Sequence, residues 1–190
     1  MKDKNKAILT NKQVHNLIQK LIPNQSEDNQ QKLSEFLEKL EKDGGTIETK
    51  VDADDTVKAI FVQSDLMKKA FISSDPPVVQ IDTSFEFDNA QYKVSAVVYL
   101  NPTTNKSEIA SLSFISDESA DNLRFVFTSF KKMTLHDPSV IIVDKDFNEI
   151  KLLKEIFPNA VILLCTFHVI KFLKVRIFQL CYKMILVMSH

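Results

Sequence analysis

Two short apolar runs, Val140-Ile141-Ile142-Val143 and Val161-Ile162-Leu163-Leu164, are the strongest hydrophobic signals along the chain. Neither alternates with polar residues, and they end at Asp144 and Cys165. Runs of this kind predict strands buried on both faces, as in a parallel sheet. Between them Phe147, Ile150, Leu153 and Phe157 recur at helical spacing until Pro158 stops the pattern. The stretch reads as strand–helix–strand, one right-handed crossover unit. Ligands of open α/β sheets bind at the carboxyl ends of strands, so chemistry is expected around Asp144, Asp146, Cys165 and His168.

The same reading extends to both sides. Val14, Leu17, Ile18, Leu21 and Ile22 predict a helix over 8–22, with Thr10 or Asn11 as cap and Pro23 as stop. Leu33, Phe36, Leu37 and Leu40 predict a second helix, ended by Gly44 and Gly45, the only glycines of the chain. Thr46 to Val51 and Val57 to Val62 read as a hairpin turning at Asp52, Asp54 and Asp55. That acidic turn lacks the glycine and distal glutamate of a calcium loop and reads as a solvated turn. Ser64 to Phe71 predicts a short helix before the boundary Ser73-Ser74-Asp75-Pro76-Pro77. Beyond it, Val78-Val79-Gln80-Ile81 is a strand ending at Asp82-Thr83-Ser84. Tyr92 to Leu100 and Ile109 to Ile115 are two more strands, joined by a turn at Asn101-Pro102-Thr103-Thr104. Ser116 or Asp117 caps a helix with Leu123, Phe127 and Phe130 inside, and a last helix begins at Phe167. Three meandering strands followed by alternating helices and strands predict an α/β fold with an α+β lead-in. Residues 1–75 form that lead-in of helices and hairpin, and 76–190 the sheet domain.

Composition narrows the picture. With 44% hydrophobic and 26% charged residues and a net charge of −1, the chain is neither a disordered tail nor a membrane protein. Nothing acidic follows Glu155, whereas Lys171, Lys174, Arg176 and Lys183 do. Lys171, Lys174 and Arg176 are candidates for nucleic-acid phosphates; the plainer reading is the solvated face of an amphipathic helix. Two cysteines without framework spacing point to a reducing compartment, and the charged N-terminus to no secretory signal, so an intracellular chain is expected. Lys171, Lys174 and Arg176 interrupt the apolar C-terminal stretch before it reaches a bilayer span of ~20 residues. Cys165 and His168 offer two of the roughly four ligands a structural zinc needs. Cys181 is distant, and His15, His136 and His190 show no ligand spacing. The plainer reading is a buried cysteine and a packed histidine, with well under one equivalent of zinc in the purified protein. No orienting partner for a Cys–His dyad and no glycine-rich phosphate loop are visible.

Four motifs stand in a telling order. They are Asp82-Thr83 ending the first core strand, Asp144-Lys145-Asp146 ending the fourth, Phe157-Pro158-Asn159-Ala160, and Cys165 with His168 ahead of the last helix. This array, over roughly residues 76–174, resembles the RNase H-like domain of MULE-type transposases, above all the domesticated version in zinc-finger SWIM-domain proteins. The resemblance implies an RNase H-like mixed five-stranded sheet in the order 3-2-1-4-5 with flanking helices, the strand of Asp82 lying beside that of Asp144. It also implies three acids holding two Mg²⁺ or Mn²⁺ ions ~4 Å apart, which clamp the attacking and leaving oxygens of a phosphodiester. Asp82 matches the first acid and Asp144 the second, the ancestral catalytic and metal-binding residues. Asp146 reads instead as a helix N-terminal residue favoured by the dipole. The third acid, a glutamate downstream of the Cys/His pair, has no counterpart after Glu155, and the SWIM finger is missing too. The chain therefore reads as truncated at its C-terminus, with Val175 to His190 matching nothing. The function expected is a transposase-derived domain, catalytically inactive and without a resident cofactor. It would act in the nucleus as an interaction module for DNA or for protein partners. The alternative is an active divalent-metal-dependent nuclease or transposase whose third acid comes from another subunit. An unrelated α/β domain with a small-molecule site at the same strand ends is the third reading.

Overall fold

In a computed structural model, the described residues are 35–177 apart from 36, 55, 87–91, 145–146 and 175–176. The helix expected over 8–22 lies outside them, as do Leu33 and Phe36 of the second helix; residues 37–42 of the latter are helical. That helix ends as its glycines predict. Gly44 takes a left-handed φ of +85°, and a Cβ on Gly45 would stand 2.7 Å from the carbonyl oxygen of Leu40.

A hairpin follows, β1 (Thr46–Val51) and β2 (Val57–Gln63), paired antiparallel. Asp52 makes its turn: Oδ1 accepts from the backbone N–H groups of Asp54 and Thr56, while Oδ2 pairs with Lys58. Helix α1 (Asp65–Ser74) starts at Ser64, whose Oγ accepts from the N–H of Met67, and stops at Asp75 in the left-handed region. Then come β3 (Val78–Glu86), β4 (Lys93–Asn101) and β5 (Lys106–Ile115), a meander of antiparallel pairs. Asn101 shapes the β4–β5 turn by accepting from the N–H groups of Thr103 and Thr104. Helix α2 (Ala120–Met133), strand β6 (Val140–Val143), helix α3 (Phe147–Ile156) and strand β7 (Val161–Leu164) complete the labelled elements, and residues 166–174 are helical again.

All seven strands share one sheet in the order β1-β2-β5-β4-β3-β6-β7. The run β5-β4-β3-β6-β7 is the expected 3-2-1-4-5, with β3, β6 and β7 parallel. The expected five-stranded sheet is thus corrected to seven. The hairpin adds itself to the edge through antiparallel pairing of Ala59 with Ile115 and Phe61 with Ser113, which satisfies the otherwise open ladder of β5.

Three further expectations are corrected. Strand β3 does not end at Asp82 but runs to Glu86, with an irregularity against β4 between Asp82 and Phe85. The N-cap of α2 is Ser119 rather than Ser116 or Asp117; Asp117 instead accepts from the N–H of Ser119 and from Nδ2 of Asn122. Strand β7 is not buried on both faces. It is an edge strand at the rim of the sheet, and Val161, Leu163 and Leu164 are exposed.

The core explains the layering. Phe71 of α1, Leu123, Phe127 and Phe130 of α2, and Leu153 of α3 pack on the sheet face formed by Phe61, Val79, Ile81, Val97, Ile141 and Val143. Phe71 meets Tyr99 and Phe130 edge-on. A smaller cluster of Val57, Ile60 and Tyr92, with Ile47, Val62 and Phe114 against it, occupies the other side of the hairpin end. Alternation along β3 and β6 assigns Gln80, Asp82 and Ile142 to the face away from the three helices.

Candidate functional site

The site is built by the parallel pairing of β3 with β6. Val78 faces Val140, Val79 faces Ile141 and Gln80 faces Ile142. Carrying this register forward by two residues sets Asp82 opposite Asp144, on the face that Gln80 and Ile142 share. Asp82 still belongs to the regular part of β3, where it pairs with Ala96 of β4. Both aspartates are half-buried. The buried neighbours Ile81 and Val143 point into the helix-covered core and anchor each strand next to its aspartate, Asp82 within β3 and Asp144 just past β6.

The third strand brings a histidine to the same place. The backbone N–H of Cys165 donates to the carbonyl of Val143 at 2.6 Å, carrying the β6–β7 ladder past Leu164. The carbonyl of Cys165 then accepts from the N–H of Val169 and opens the final helix. One turn in, Nδ1 of His168 lies 3.6 Å from Oδ1 of Asp144, with side-chain exposures of 19% and 44%. The ring of Phe167 meets the imidazole edge-on at 5.3 Å. The sequence pointed to Asp144 and His168 separately and associated His168 with Cys165. Its contact with Asp144 was missed, although the signal was present: both residues follow the carboxyl ends of adjacent parallel strands.

Cys165 is a free, half-buried thiol. Lys171 and Lys174 are exposed on the final helix. Asp146, Arg176, Cys181 and Lys183 lie outside the described residues. Among the described residues no group of three or more His, Cys, Asp and Glu side chains could hold a metal ion. Carboxylate oxygens are the right donors for a hard cation such as Mg²⁺ or Mn²⁺. Asp82 and Asp144 would hold such an ion together with oxygens from a bound phosphate, but the described residues do not supply the donors of a two-ion site.

With a meander, crossover strands and two aspartates on neighbouring parallel strands in place, comparison with known families becomes decisive. The family model "Zinc finger SWIM domain-containing protein 1/3, RNaseH-like domain" matches residues 34–163, well over half of the chain. The chain belongs to this family. The matched span of this SWIM-family RNase H-like domain contains Asp82 and Asp144 and ends before Cys165, His168 and the final helix. No curated protein sequence matches the chain. Among solved structures, the Holliday junction resolvase of fowlpox virus is similar at 14% identity and a TM-score of 0.29. That match spans 46% of this chain and 59% of the viral one, a likeness too slight to carry an argument. Among the described residues no helix is long and apolar enough to cross a membrane.

Proposed function

We propose that this RNase H-like domain binds nucleic acid through its phosphate backbone, where Asp82 of β3 stands beside the carboxyl end of β6, without cutting it. The observation that carries this reading is the meeting of the Asp82–Asp144 sheet face with the first turn of a helix bearing Lys171 and Lys174. Two carboxylates alone repel a phosphodiester. A divalent cation bound between them and the phosphate would offset that repulsion, and Lys171 and Lys174 would add attraction along the strand. In-line displacement needs both the attacking and the leaving oxygen to be clamped, and the two carboxylates that the described residues bring together are a short donor set for that task. Binding without cleavage is the chemistry this donor set supports best.

The test is the salt dependence of duplex DNA binding by the full chain. Log affinity is expected to fall linearly with log salt, with a slope of about 0.9 per phosphate engaged. Lys171→Glu combined with Lys174→Glu should make that slope shallower by about two phosphates' worth. An unchanged slope in the double variant would remove the final helix from the interface. A second reading has its own support in the shared sheet face of Asp82 and Asp144. It is an active metal-dependent nuclease or transposase completed by an acid from another subunit.

A further inference from the structure

The first turn of the final helix contains a side chain whose placement packing alone does not explain. Nδ1 of His168 is buried without a hydrogen-bond partner. The acidic atom it faces is Oδ1 of Asp144, at 3.6 Å. Buried polar atoms in folded proteins are almost always paired. A separation just beyond hydrogen-bond range is common in unliganded sites, where such contacts tighten on binding. The backbone bonds of Cys165 to Val143 and of Val169 to Cys165 fix the turn from both sides, and the ring of Phe167 lies edge-on to the imidazole. The imidazole is therefore held toward the carboxylate by its surroundings. In a neutral ring, the nitrogen facing a carboxylate oxygen is the one that keeps the proton.

We propose that His168 is a positioning residue for Asp144. Its Nδ1–H donates to Oδ1 and fixes the orientation in which Asp144 stands beside Asp82. The proposal rests on the reading of these two aspartates as a cation-holding pair at the nucleic-acid site. Carboxylates that bind cations are themselves commonly oriented by an outer hydrogen bond, and losing that bond weakens cation binding about 10- to 100-fold. The arrangement also ties the carboxylate to the helix that carries Lys171, three residues on from His168 and on an adjoining part of its surface. Cation binding and phosphate contact would then share one rigid turn.

Two measurements on the full chain test this, and their failures differ in meaning. The first is the imidazole ¹⁵N spectrum of His168 in metal-free protein at about pH 8, where an ordinary histidine is neutral. The expected result is a protonated Nδ1 that becomes a mixture of tautomers in Asp144→Ala. A proton on Nε2, or a spectrum unmoved by Asp144→Ala, would overturn the proposal whether or not a metal binds. The second is Mn²⁺ affinity by electron paramagnetic resonance in the presence of saturating duplex DNA, whose phosphates complete the site, against the same DNA alone. His168→Asn places an amide N–H near the position of Nδ1 and should keep affinity within about threefold, whereas His168→Gln reaches the position of Nε2 and should lose about tenfold. Equal losses in both variants would also overturn it. Wild-type protein that takes up no Mn²⁺ would instead defeat the cation-pair reading, an outcome the tautomer spectrum tells apart.

Discussion

Tyr92 joins the start of β4 to the start of β2 through one bond, its hydroxyl donating to the carbonyl of Val57 at 2.6 Å. Burial, with a smaller contribution from the charge of Asp52, pushes its phenol up to about 12. The folded state thus holds this proton more tightly than the unfolded chain, whose tyrosines titrate near 10. The resulting stability is complete below about pH 10 and is lost as the pH rises toward about 12. Tyr92→Phe should cost about 1 kcal/mol in a urea melt at neutral pH and show a smaller further loss between about pH 10 and 12. At the other end of the scale, hydrogen bonds from Ser119 hold the carboxyl of Asp117 below its ordinary 3.8. That contribution is present above the ordinary value and is lost as the pH falls through the lowered one, so Asp117→Asn should flatten the acid limb of melting temperature against pH. At this scale the sequence was informative about which residues matter and less so about what they touch. Asp82, Asp144 and His168 were all marked by standing at or after apolar runs. The contact between Asp144 and His168 depends on how the chain turns after β7, which no local pattern encodes.

Elements were legible wherever burial had a period. The stripe of Leu123, Phe127 and Phe130 correctly marked the inner face of α2, and Leu153 with Phe157 that of α3 and its end. Phe157 is fully buried, with Phe130 at 6.2 Å and the ammonium of Lys131 at 5.0 Å from its ring. Phe157→Ala should therefore cost about 3–5 kcal/mol in a denaturant melt, and a loss below about 1 kcal/mol would mean the site collapses without a cavity. Two features had no local signature. A continuous apolar run looks the same in a central strand and at an edge, so the exposure of β7 emerged only from the strand order. A hairpin likewise carries no sign of which edge it will join. Along β7 and the final helix, Val161, Leu163, Leu164, Phe167, Ile170 and Leu173 are exposed together, with no charge or proline within the strand to blunt pairing. Leu163→Lys with Phe167→Ser should reduce concentration-dependent association in sedimentation velocity; identical profiles would show that this seam is not adhesive.

The molecule as a whole is a sheet with unlike faces. One carries the three labelled helices and the main core; the other carries Asp82, within β3, beside Asp144, just past the end of the neighbouring parallel strand β6, with His168 arriving from the helix beyond β7. The family match accounts for the scaffold, while the donor set bears on what the scaffold does. Binding and cleavage separate in one experiment: end-labelled DNA incubated with the full chain and Mn²⁺ across a salt series, read for both retention and length. The expected result is retention that weakens as salt rises, with the label remaining at full length. Shortened products that disappear in Asp82→Asn and in Asp144→Asn would contradict binding without cleavage, and no retention at any salt would contradict binding itself.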